Sequence, residues 1–483
     1  MQYFIEDQPV PWIRPIWETL FEGLRRLAGA LEDIFTTLET RTAESLLSLE
    51  QLVYTQVKRL IGDAVVAHAI RILLASAPVK EAADSLVAQR PNSRLQKSDA
   101  LVRVQLLGGT TENFEVPYYL IRPPKGPGRP KIGRSKSGNG FYPTLELLGI
   151  HGRTTPAVAS LVASQLARAP VDEATSVLTD QGLRLDSKTV TRIGMQLARR
   201  ALEFEDHLLE RLDNKLKGKG SSGKRLGVAI DGGRLRTRET YGRRGRKTKR
   251  RKFKGVWREP KVFVIYELDD RGRREKKGLC VYGGTMGGAD ECFRLLAAYL
   301  SFLGAHLAKE VILLGDGAEW IWNRIDDLLK ATGIERSRVT ELVDYYHAVE
   351  RLHDEARGRC DWTENQRHSW VRARIQELHT GQLERLQMEC ETVRTGSSHY
   401  FSNNSNRLDY RGCRRRRLPL GSGAVESGIR RIVNLRLKGN GIFWGIPNAQ
   451  GLMHLRCQLV AGRWKELIKV VTLPRELWWK YAA

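Results

Sequence analysis

Apolar residues near the start of the chain recur at helical spacing. Between residues 13 and 38 their separations alternate between four and three, and a second apolar stretch runs from about Ala43 to Ala75. Such spacing is typical of a coiled-coil seam. The first stretch contains Ile13, Trp17, Leu20, Leu24, Leu27, Leu31, Ile34 and Leu38. Residues 1–98 are therefore predicted to be helical, either as an element that joins copies of the chain or as an intramolecular helical hairpin.

A β-hairpin and a basic linker are predicted for residues 99–154. The apolar stretches 100–106 and 113–122 flank a Gly-Gly pair, which indicates two strands and a turn. Residues 123–136 are rich in proline, glycine and cations and contain no acid, so we expect an extended linker. Its Gly-Arg-Pro centre, with Arg129 and Lys131, is similar to an AT-hook that reads the DNA minor groove. Because the motif core is only three residues long, a plain basic linker is favoured over an AT-hook.

Residues 155–219 show the pattern of a helix-turn-helix DNA-binding domain. Helices are predicted over 157–167, 171–180 and 187–200, with Ser187 as the N-cap of the last one. Lys188 and Arg192 would project from its first turns towards the major groove. Three short helices that simply pack on one another are the alternative interpretation.

The pattern of residues 220–346 is typical of an α/β fold. Apolar strands are predicted over 226–230, 261–268, 276–282, 310–314 and 338–343, with helices over 290–307, 318–331 and from 346. Three strands followed by alternating helices and strands give the element order of the ribonuclease-H fold. Residues 347–420 are charged and helical, which indicates an inserted helical subdomain. Residues 421–483 would complete the core and add C-terminal helices.

The charge balance points to nucleic acid as the partner. The 483-residue chain carries 80 Lys and Arg against 55 Asp and Glu, so its net charge is +25. Clustered cations gain free energy by releasing counterions from phosphates. Nine of the fourteen residues 241–254 are cationic, and such a run is expected to be a solvated tip that becomes ordered on phosphates, with a solubilising loop or a localisation signal as the alternative. The expected DNA contacts outside the linker and the helix-turn-helix are Arg234, Arg236, Arg243, Arg244, Arg246, Lys247, Lys249, Arg250, Arg251, Lys252, Arg414, Arg415, Arg416, Arg417, Arg430, Arg431, Arg436 and Lys438.

Three acids stand at positions where chemistry is expected. Asp231 and Asp316 each end an apolar strand and are followed by glycine, and Glu426 begins a late helix between arginine runs. Strand-end turns and a first-turn helix acid are the structural alternatives. Carboxylate oxygens suit magnesium, which takes oxygen ligands. Glu319 lies one helical turn after Asp316 and is a candidate supporting acid, with an exposed first-turn glutamate as the alternative.

Four blocks of sequence, taken in order, resemble a known family. They are Asp231-Gly232-Gly233, residues 314–320, Asp344-Tyr345-Tyr346-His347 and residues 421–426. Together they resemble bacterial insertion-sequence transposases of the DDE type, in particular the Mutator-like branch. In that branch a helical insertion interrupts a ribonuclease-H-like core before the last acid. The resemblance covers about Gly220 to Trp464.

The resemblance implies an enzyme and a set of site residues. Asp231, Asp316 and Glu426 would be the catalytic acids that bind two Mg²⁺ or Mn²⁺ ions. Asp344 and His347 would lie beside them without ligating metal, holding the insertion or contacting the cleaved strand, with buried polar packing as the alternative. The protein would bind double-stranded DNA at terminal inverted repeats and at the target, and would cleave and join strands as a homodimer or a larger synaptic complex. A ribonuclease-H-like nuclease without strand transfer and a catalytically idle DNA-binding repressor are the alternatives.

Other sequence features narrow the class of protein. Six cysteines are scattered without a Cys-x-x-Cys pair, which argues against a zinc ribbon and a disulfide framework. No stretch approaches the roughly 20 apolar residues of a membrane span, and the N-terminus does not resemble a secretion signal. We therefore expect a cytoplasmic, nucleoid-associated protein, prokaryotic by the resemblance.

Overall fold

The chain forms two compact units in the computed structural model. The structure describes residues 13–37, 43–121, 139–212, 218–243, 251–391, 399–439 and 441–481. One unit contains residues 1–200 together with 465–483, and the other contains residues 201–464. Residues 465–483 therefore belong with the N-terminal unit, whereas the sequence analysis groups all of 421–483 with the core.

Four helices begin the first unit, as the apolar spacing predicts. They are α1 (Ile13–Thr37), α2 (Ala43–Gln56), α3 (Ala64–Ala75) and α4 (Ala77–Ala88), with a π-helical segment, Val57–Asp63, between α2 and α3. α1 packs against α2, α3 and the π-helical segment. The helices thus form an intramolecular hairpin, while Trp17 and Phe21 of α1 remain exposed. Self-association through α1 stays a prediction.

A three-stranded antiparallel sheet follows the helices. Its strands are β1 (Ser93–Gln105), β2 (Thr111–Ile121) and β3 (Asn139–Phe141), in that spatial order. The buried side chains of β1 and β2 pack against α3. The β1–β2 turn is tied to the helices by the buried carboxylate of Asp63, which accepts hydrogen bonds from the N–H groups of Gly108 (2.7 Å) and Thr110 (2.9 Å). The predicted linker, with Arg129 and Lys131, lies outside the described residues.

The predicted helix-turn-helix segment is helical throughout. Its described residues contain α6 (Pro156–Arg168), α7 (Val171–Asp180) and α8 (Ser187–Leu212), and α5 (Pro143–Leu147) precedes it within the region predicted as hairpin and linker. The prediction of Ser187 as N-cap is wrong, because the Asp186 carboxylate accepts hydrogen bonds from the N–H groups of Lys188 (2.9 Å) and Thr189 (3.0 Å). Ser187 is already the first helical residue. Lys188 and Arg192 are exposed on this helix, and their contact with DNA stays a prediction.

The second unit is built on a five-stranded mixed sheet. The strands of this unit are β4 (Arg225–Gly232), β5 (Leu235–Tyr241), β6 (Lys252–Arg258), β7 (Lys261–Glu267), β8 (Cys280–Thr285), β9 (Glu310–Gly315) and β10 (Val339–Val343). The main sheet has the order β10-β9-β4-β7-β8. β4 pairs in parallel with β9 and antiparallel with β7. All five predicted strands are present, with the third at β8 rather than at 276–282, while the separate hairpin β5–β6 was not predicted.

Helices cover the main sheet and form the insertion. Those of the second unit begin with α9 (Ala289–Leu303), α10 (Glu319–Trp322), α11 (Ile325–Thr332), α12 (Tyr345–Gly358), α13 (Glu364–Thr380), α14 (Leu383–Glu391), α15 (Tyr400–Asn403) and α16 (Tyr410–Arg415). After the insertion come α17 (Gly423–Ile429) and α18 (Ile446–Val460), and α19 spans Trp464–Val471. α17 packs against β4 and β7, and α18 packs against β8. The described parts of residues 347–420 are helical, as predicted.

The C-terminal segment is anchored within the first unit by buried polar contacts. Arg90 pairs with Glu146 and with Glu476, each at 2.8 Å. The Arg200 guanidinium donates a hydrogen bond to the carbonyl of Val471 (2.7 Å), and the Trp478 ring is fully buried. These contacts explain why residues 465–483 leave the core.

Two further expectations concern cysteines and membrane spans. The cysteines whose side chains the structure describes are free, and Cys292, Cys413 and Cys457 are buried while Cys360 is exposed. Within the described ranges, no single helix is both long and apolar enough to cross a membrane. The bent helix pair 49–75 and 77–88 reaches that length and composition only when taken together.

Candidate active site

Asp231 and Asp316 stand at the same edge of the main sheet. In the parallel pair β4–β9, Ile230 lies opposite Gly315, and an aspartate follows directly in each strand direction. The Asp231 Oδ1 atom accepts a hydrogen bond from the Gly232 N–H (2.6 Å), and the Asp316 Oδ1 atom accepts one from the Ala318 N–H (3.1 Å). The sheet therefore brings together two acids that are far apart in sequence.

Glu426 approaches this edge from α17. It lies in the first turn of that helix, which packs against β4 and β7. Its side chain is exposed, and its Oε1 atom accepts a hydrogen bond from the Ser422 hydroxyl at 3.3 Å. The helix thus presents a carboxylate at the edge where β4 ends.

The charges that shift the pKa of Asp231 indicate which acids lie near it. Burial raises the pKa of Asp231 to about 6 from its ordinary 3.8, and the negative charges of Asp316 and Glu426 add to the increase. The Gly232 N–H and the charge of His347 act in the opposite direction on this pKa. A charged group shifts the pKa of a neighbour appreciably only at short range. Asp231 therefore lies near Asp316, Glu426 and His347.

Asp344 holds the segment that follows the helical insertion next to the end of β9. Its side chain is fully buried and caps α12 by accepting the N–H groups of Tyr346 (2.6 Å) and His347 (3.0 Å). Its other carboxylate oxygen accepts the N–H of Ser422. Its own N–H donates to the carbonyl of Gly315 at 2.8 Å. Asp344 therefore links β9 to the segment that leads to Glu426, which follows Asp316 by 110 residues.

The other predicted supporting residues have different positions. His347 is half-buried, and its Nδ1 atom lies 3.3 Å from Glu350. Glu319 is exposed in the first turn of α10 and is not among the groups that shift the pKa of Asp231. The structure therefore brings Asp344 and His347 to the site and agrees with the alternative interpretation of Glu319.

Tyr400 is a neighbour of the acids that the sequence analysis missed. Its ring packs so tightly on Gly317 that a Cβ atom there would lie 2.0 Å from the ring. Burial raises the pKa of Tyr400, the charge of Arg351 lowers it, and the charges of Asp316 and Asp344 raise it further. No spacing in the helical insertion marks this tyrosine, because its partner Gly317 is distant in sequence.

Many predicted DNA-binding cations are exposed, and others lie outside the described residues. The exposed ones are Lys188, Arg192, Arg234, Arg243, Arg251, Lys252, Arg414, Arg415, Arg416, Arg417, Arg430 and Lys438. Arg236 and Arg431 are half-buried. The residues that fall in the undescribed segments are Arg129, Lys131, Arg244, Arg246, Lys247, Lys249 and Arg250.

Several of these arginines are engaged within the protein, and three of them show how. Arg436 is only 5% exposed, and its guanidinium packs 5.3 Å from the Trp444 ring. The expectation that Arg436 contacts DNA is therefore corrected, because its charged group faces the interior. Arg431 hydrogen-bonds the Tyr282 hydroxyl, and Arg416 pairs with Glu310. Both of these contacts compete with phosphate binding.

The donor set fits a hard divalent cation in its chemistry. Asp231, Asp316 and Glu426 offer carboxylate oxygens, which are the ligands that Mg²⁺ and Mn²⁺ favour. Burial raises the pKa of Asp231 first, and the charges of Asp316 and Glu426, which a bound cation would offset, raise it further. Across the ranges that the structure describes, however, no group of three or more His, Cys, Asp and Glu side chains is already arranged to hold a metal ion.

Comparisons with known proteins add no assignment. No protein-family model, curated protein or solved structure matches the chain.

Proposed function

We propose that this protein is a DNA transposase of the DDE type, which binds the terminal inverted repeats of an insertion sequence and catalyses metal-dependent DNA cleavage and strand transfer. The observation that carries the proposal is the meeting of three acids from distant parts of the chain. The negative charges of Asp316 and Glu426 both act on Asp231 at the end of β4. Without a cation, a site that gathers repelling carboxylates is unfavourable.

The arrangement of strands supports a ribonuclease-H-like core. The first strand, β4, lies at the centre, with its antiparallel successor β7 on one side and the parallel β9 on the other. The element order matches the order that the sequence resemblance implies. The helical insertion separates β10 from α17, as in the Mutator-like branch.

Each residue of the site has a role that follows from its surroundings. Asp231 and Asp316 are held by local backbone N–H groups, so their carboxylates are oriented before substrate arrives. Glu426 is exposed and can meet the scissile phosphate from the solvent side. Asp344 acts as a positioning residue by fixing the segment before α17. The exposed Arg417 and Arg430 flank that helix and can bind neighbouring phosphates.

Two divalent ions held by Asp231, Asp316 and Glu426 would supply an activated water or 3′-hydroxyl and a stabilised leaving oxygen. The protein's own part is to gather the acids, to hold the DNA backbone with arginine and lysine, and to fix α17 against the sheet.

The proposal is tested by reacting the protein with labelled duplexes that carry the DNA flanking its gene, in Mg²⁺ or Mn²⁺. We expect the wild-type protein to cut and join strands. Asp231→Asn, Asp316→Asn and Glu426→Gln should each lower the rate by at least about 100-fold. Each variant lacks a carboxylate that would bind the metal ions, and those ions would stabilise the transition state. The matched control is Asp326→Asn, whose carboxylate is 95% exposed on α11, and it should retain the wild-type rate within about twofold.

The same assay separates the alternatives. Cut strands that are never joined would favour a nuclease without strand transfer. Specific binding with no cleavage by any of the proteins would favour a repressor. Equal activity of the wild type and all three site variants would refute the assignment of the acids.

A further inference from the structure

One face of the β5–β6 hairpin carries aromatic side chains that reach solvent. Trp257, Gly255 and Phe253 alternate along β6 and therefore share a face, and Arg236 and Arg238 of β5 lie opposite the first two of them. Trp257 is 48% exposed and Phe253 is 46% exposed. Large apolar rings on a solvated hairpin indicate a binding surface.

A third ring completes this surface. Phe443 packs directly on Gly255, where a Cβ atom would lie 2.5 Å from the ring, and its centroid is 5.3 Å from that of Phe253. The Arg236 guanidinium lies 4.8 Å from the Phe443 ring and 5.5 Å from the Trp257 ring. Trp257, Phe443 and Phe253 thus form a continuous row with a cation within it, which we call the aromatic row.

Backbone hydrogen bonds hold the aromatic row in place beside the candidate active site. The Arg238 N–H donates to the Trp444 carbonyl at 2.9 Å, and the Trp444 N–H donates to the Arg236 carbonyl at 3.1 Å. The Gly233 N–H donates to the Pro260 carbonyl at 2.7 Å and closes the base of the hairpin just after Asp231. A surface fixed in this way loses little freedom when a ligand binds.

The charge around the aromatic row selects the partner. The exposed cations on the described part of the hairpin are Arg234, Arg238, Arg243, Arg251, Lys252 and Lys254. The acid Glu239 is paired with Arg258 at 2.6 Å. Flat apolar rings amid cations complement a ligand with exposed base faces and phosphates, which is single-stranded nucleic acid. A DNA duplex stacks its base faces on one another and offers nothing to the rings.

We propose that the aromatic row is a stacking platform for unpaired DNA bases next to the scissile phosphate. Trp257 and Phe253 are four residues apart, or about 13 Å along a strand, which corresponds to about four nucleotides at roughly 3.4 Å per stacked base. The identity of the strand as DNA rests on the proposed function, whereas the stacking itself does not. In catalysis, the platform would hold a strand that has been separated near its cut end.

The test measures binding of a labelled oligothymidylate and of a duplex of equal length by fluorescence anisotropy, without divalent metal. Trp257→Ala should weaken single-strand binding by about 5- to 150-fold, the range reported for loss of one base–aromatic stack, and change duplex binding less than about twofold. Phe253→Ala should act in the same direction. Trp257→Phe should restore most of the affinity because it keeps a stacking ring. Tyr54→Ala is the control, since Tyr54 is 69% exposed on α2 and outside the apolar seam of α1, and it should bind like the wild type.

Further outcomes decide the proposal. Unchanged single-strand binding by folded Trp257→Ala and Phe253→Ala proteins would overturn it, as would equal losses on single strands and duplex. A change of oligomeric state with unchanged DNA binding would instead make the aromatic row an interface between copies. Asp231→Asn should still bind single strands, so failure of the proposed transposase chemistry and failure of the platform give different results.

Discussion

At the scale of single residues, burial and metal binding have opposite effects on the protonation of Asp231. Its pKa is raised to about 6, firstly by burial and then by the charges of Asp316 and Glu426. Folding therefore favours the protonated carboxyl, whereas a bound cation favours the ionised one. The residue contributes most to the stability of the metal-free protein below pH 3.8, and this contribution is lost as the pH rises through about 6.

This opposition predicts the effect of Asp231→Asn on stability. Without divalent metal, we compare the free energy of unfolding of the variant with that of the wild type. The difference should favour the variant by on the order of 2 kcal/mol more at pH 8 than at pH 4, because asparagine cannot ionise. Urea unfolding at the two pH values measures this difference. Added Mg²⁺ at pH 8 should stabilise the wild type more than the variant. A stability difference that is the same at both pH values would contradict the prediction.

The sequence indicated the candidate acids but not the contacts that hold them. Asp231 and Asp316 could be found because a polar residue that ends an apolar strand is a local signal. Asp344 could be placed near the site, but its bond to Ser422 could not be found, because that hydrogen bond spans the helical insertion. Tyr400 was missed for the same reason, since its partner Gly317 is distant in sequence.

At the scale of elements, a buried polar cluster joins three helices of the second unit. Glu205 of α8 accepts a hydrogen bond from the Tyr299 hydroxyl of α9 (2.7 Å) and lies 3.2 Å from the His454 Nδ1 atom of α18. Burial alone would raise the pKa of Glu205, but the charge and hydrogen bonds of these partners outweigh it, and the pKa is lowered below 4.5. The ionised carboxylate therefore stabilises the fold above pH 4.5, and this contribution is lost as the pH falls through the lower folded value.

Removing this charge should loosen the three helices. Glu205→Gln should lower the free energy of unfolding at pH 7 by on the order of 3 kcal/mol, because it leaves buried partners without their carboxylate. Glu384→Gln is the matched control and should stay within about 0.5 kcal/mol, since Glu384 is exposed on α14. Urea unfolding measures both. The loss for Glu205→Gln should shrink at pH 3, and a loss that does not depend on pH would show that the charge is irrelevant.

The strands of the main sheet were predictable, and the hairpin was not, for a physical reason. The strands of the main sheet are buried on both faces, so they appear as apolar runs such as Val228 to Ile230. β5 and β6 are exposed along most of their length and carry arginine and lysine, so no apolar alternation marks them. The C-terminal segment was assigned to the wrong unit because the Arg90–Glu476 pair joins opposite ends of the chain.

At the scale of the whole molecule, the net charge of +25 is the property that most directly supports the proposed DNA partner. Part of that charge is paired within the fold, as at Arg90, and part is exposed at the surface, as at Arg251 and Lys252. Only cations that meet phosphates release counterions and contribute to the salt dependence of binding. Total charge alone therefore does not set affinity, and the position of each cation matters.

This distinction predicts the salt dependence of duplex binding. The double variant Arg251→Gln and Lys252→Gln should reduce the slope of log affinity against log salt by about 1.8, because two phosphate contacts on the hairpin are lost at about 0.9 each. Arg25→Gln with Arg26→Gln removes the same charge from α1, where both side chains pair with Glu22, and should leave the slope nearly unchanged. Titration of a labelled duplex across about 50–200 mM salt measures both slopes. Equal slopes for the two double variants would mean that the duplex senses only the total charge of the protein, and the hairpin would lose its assignment as a phosphate-binding surface.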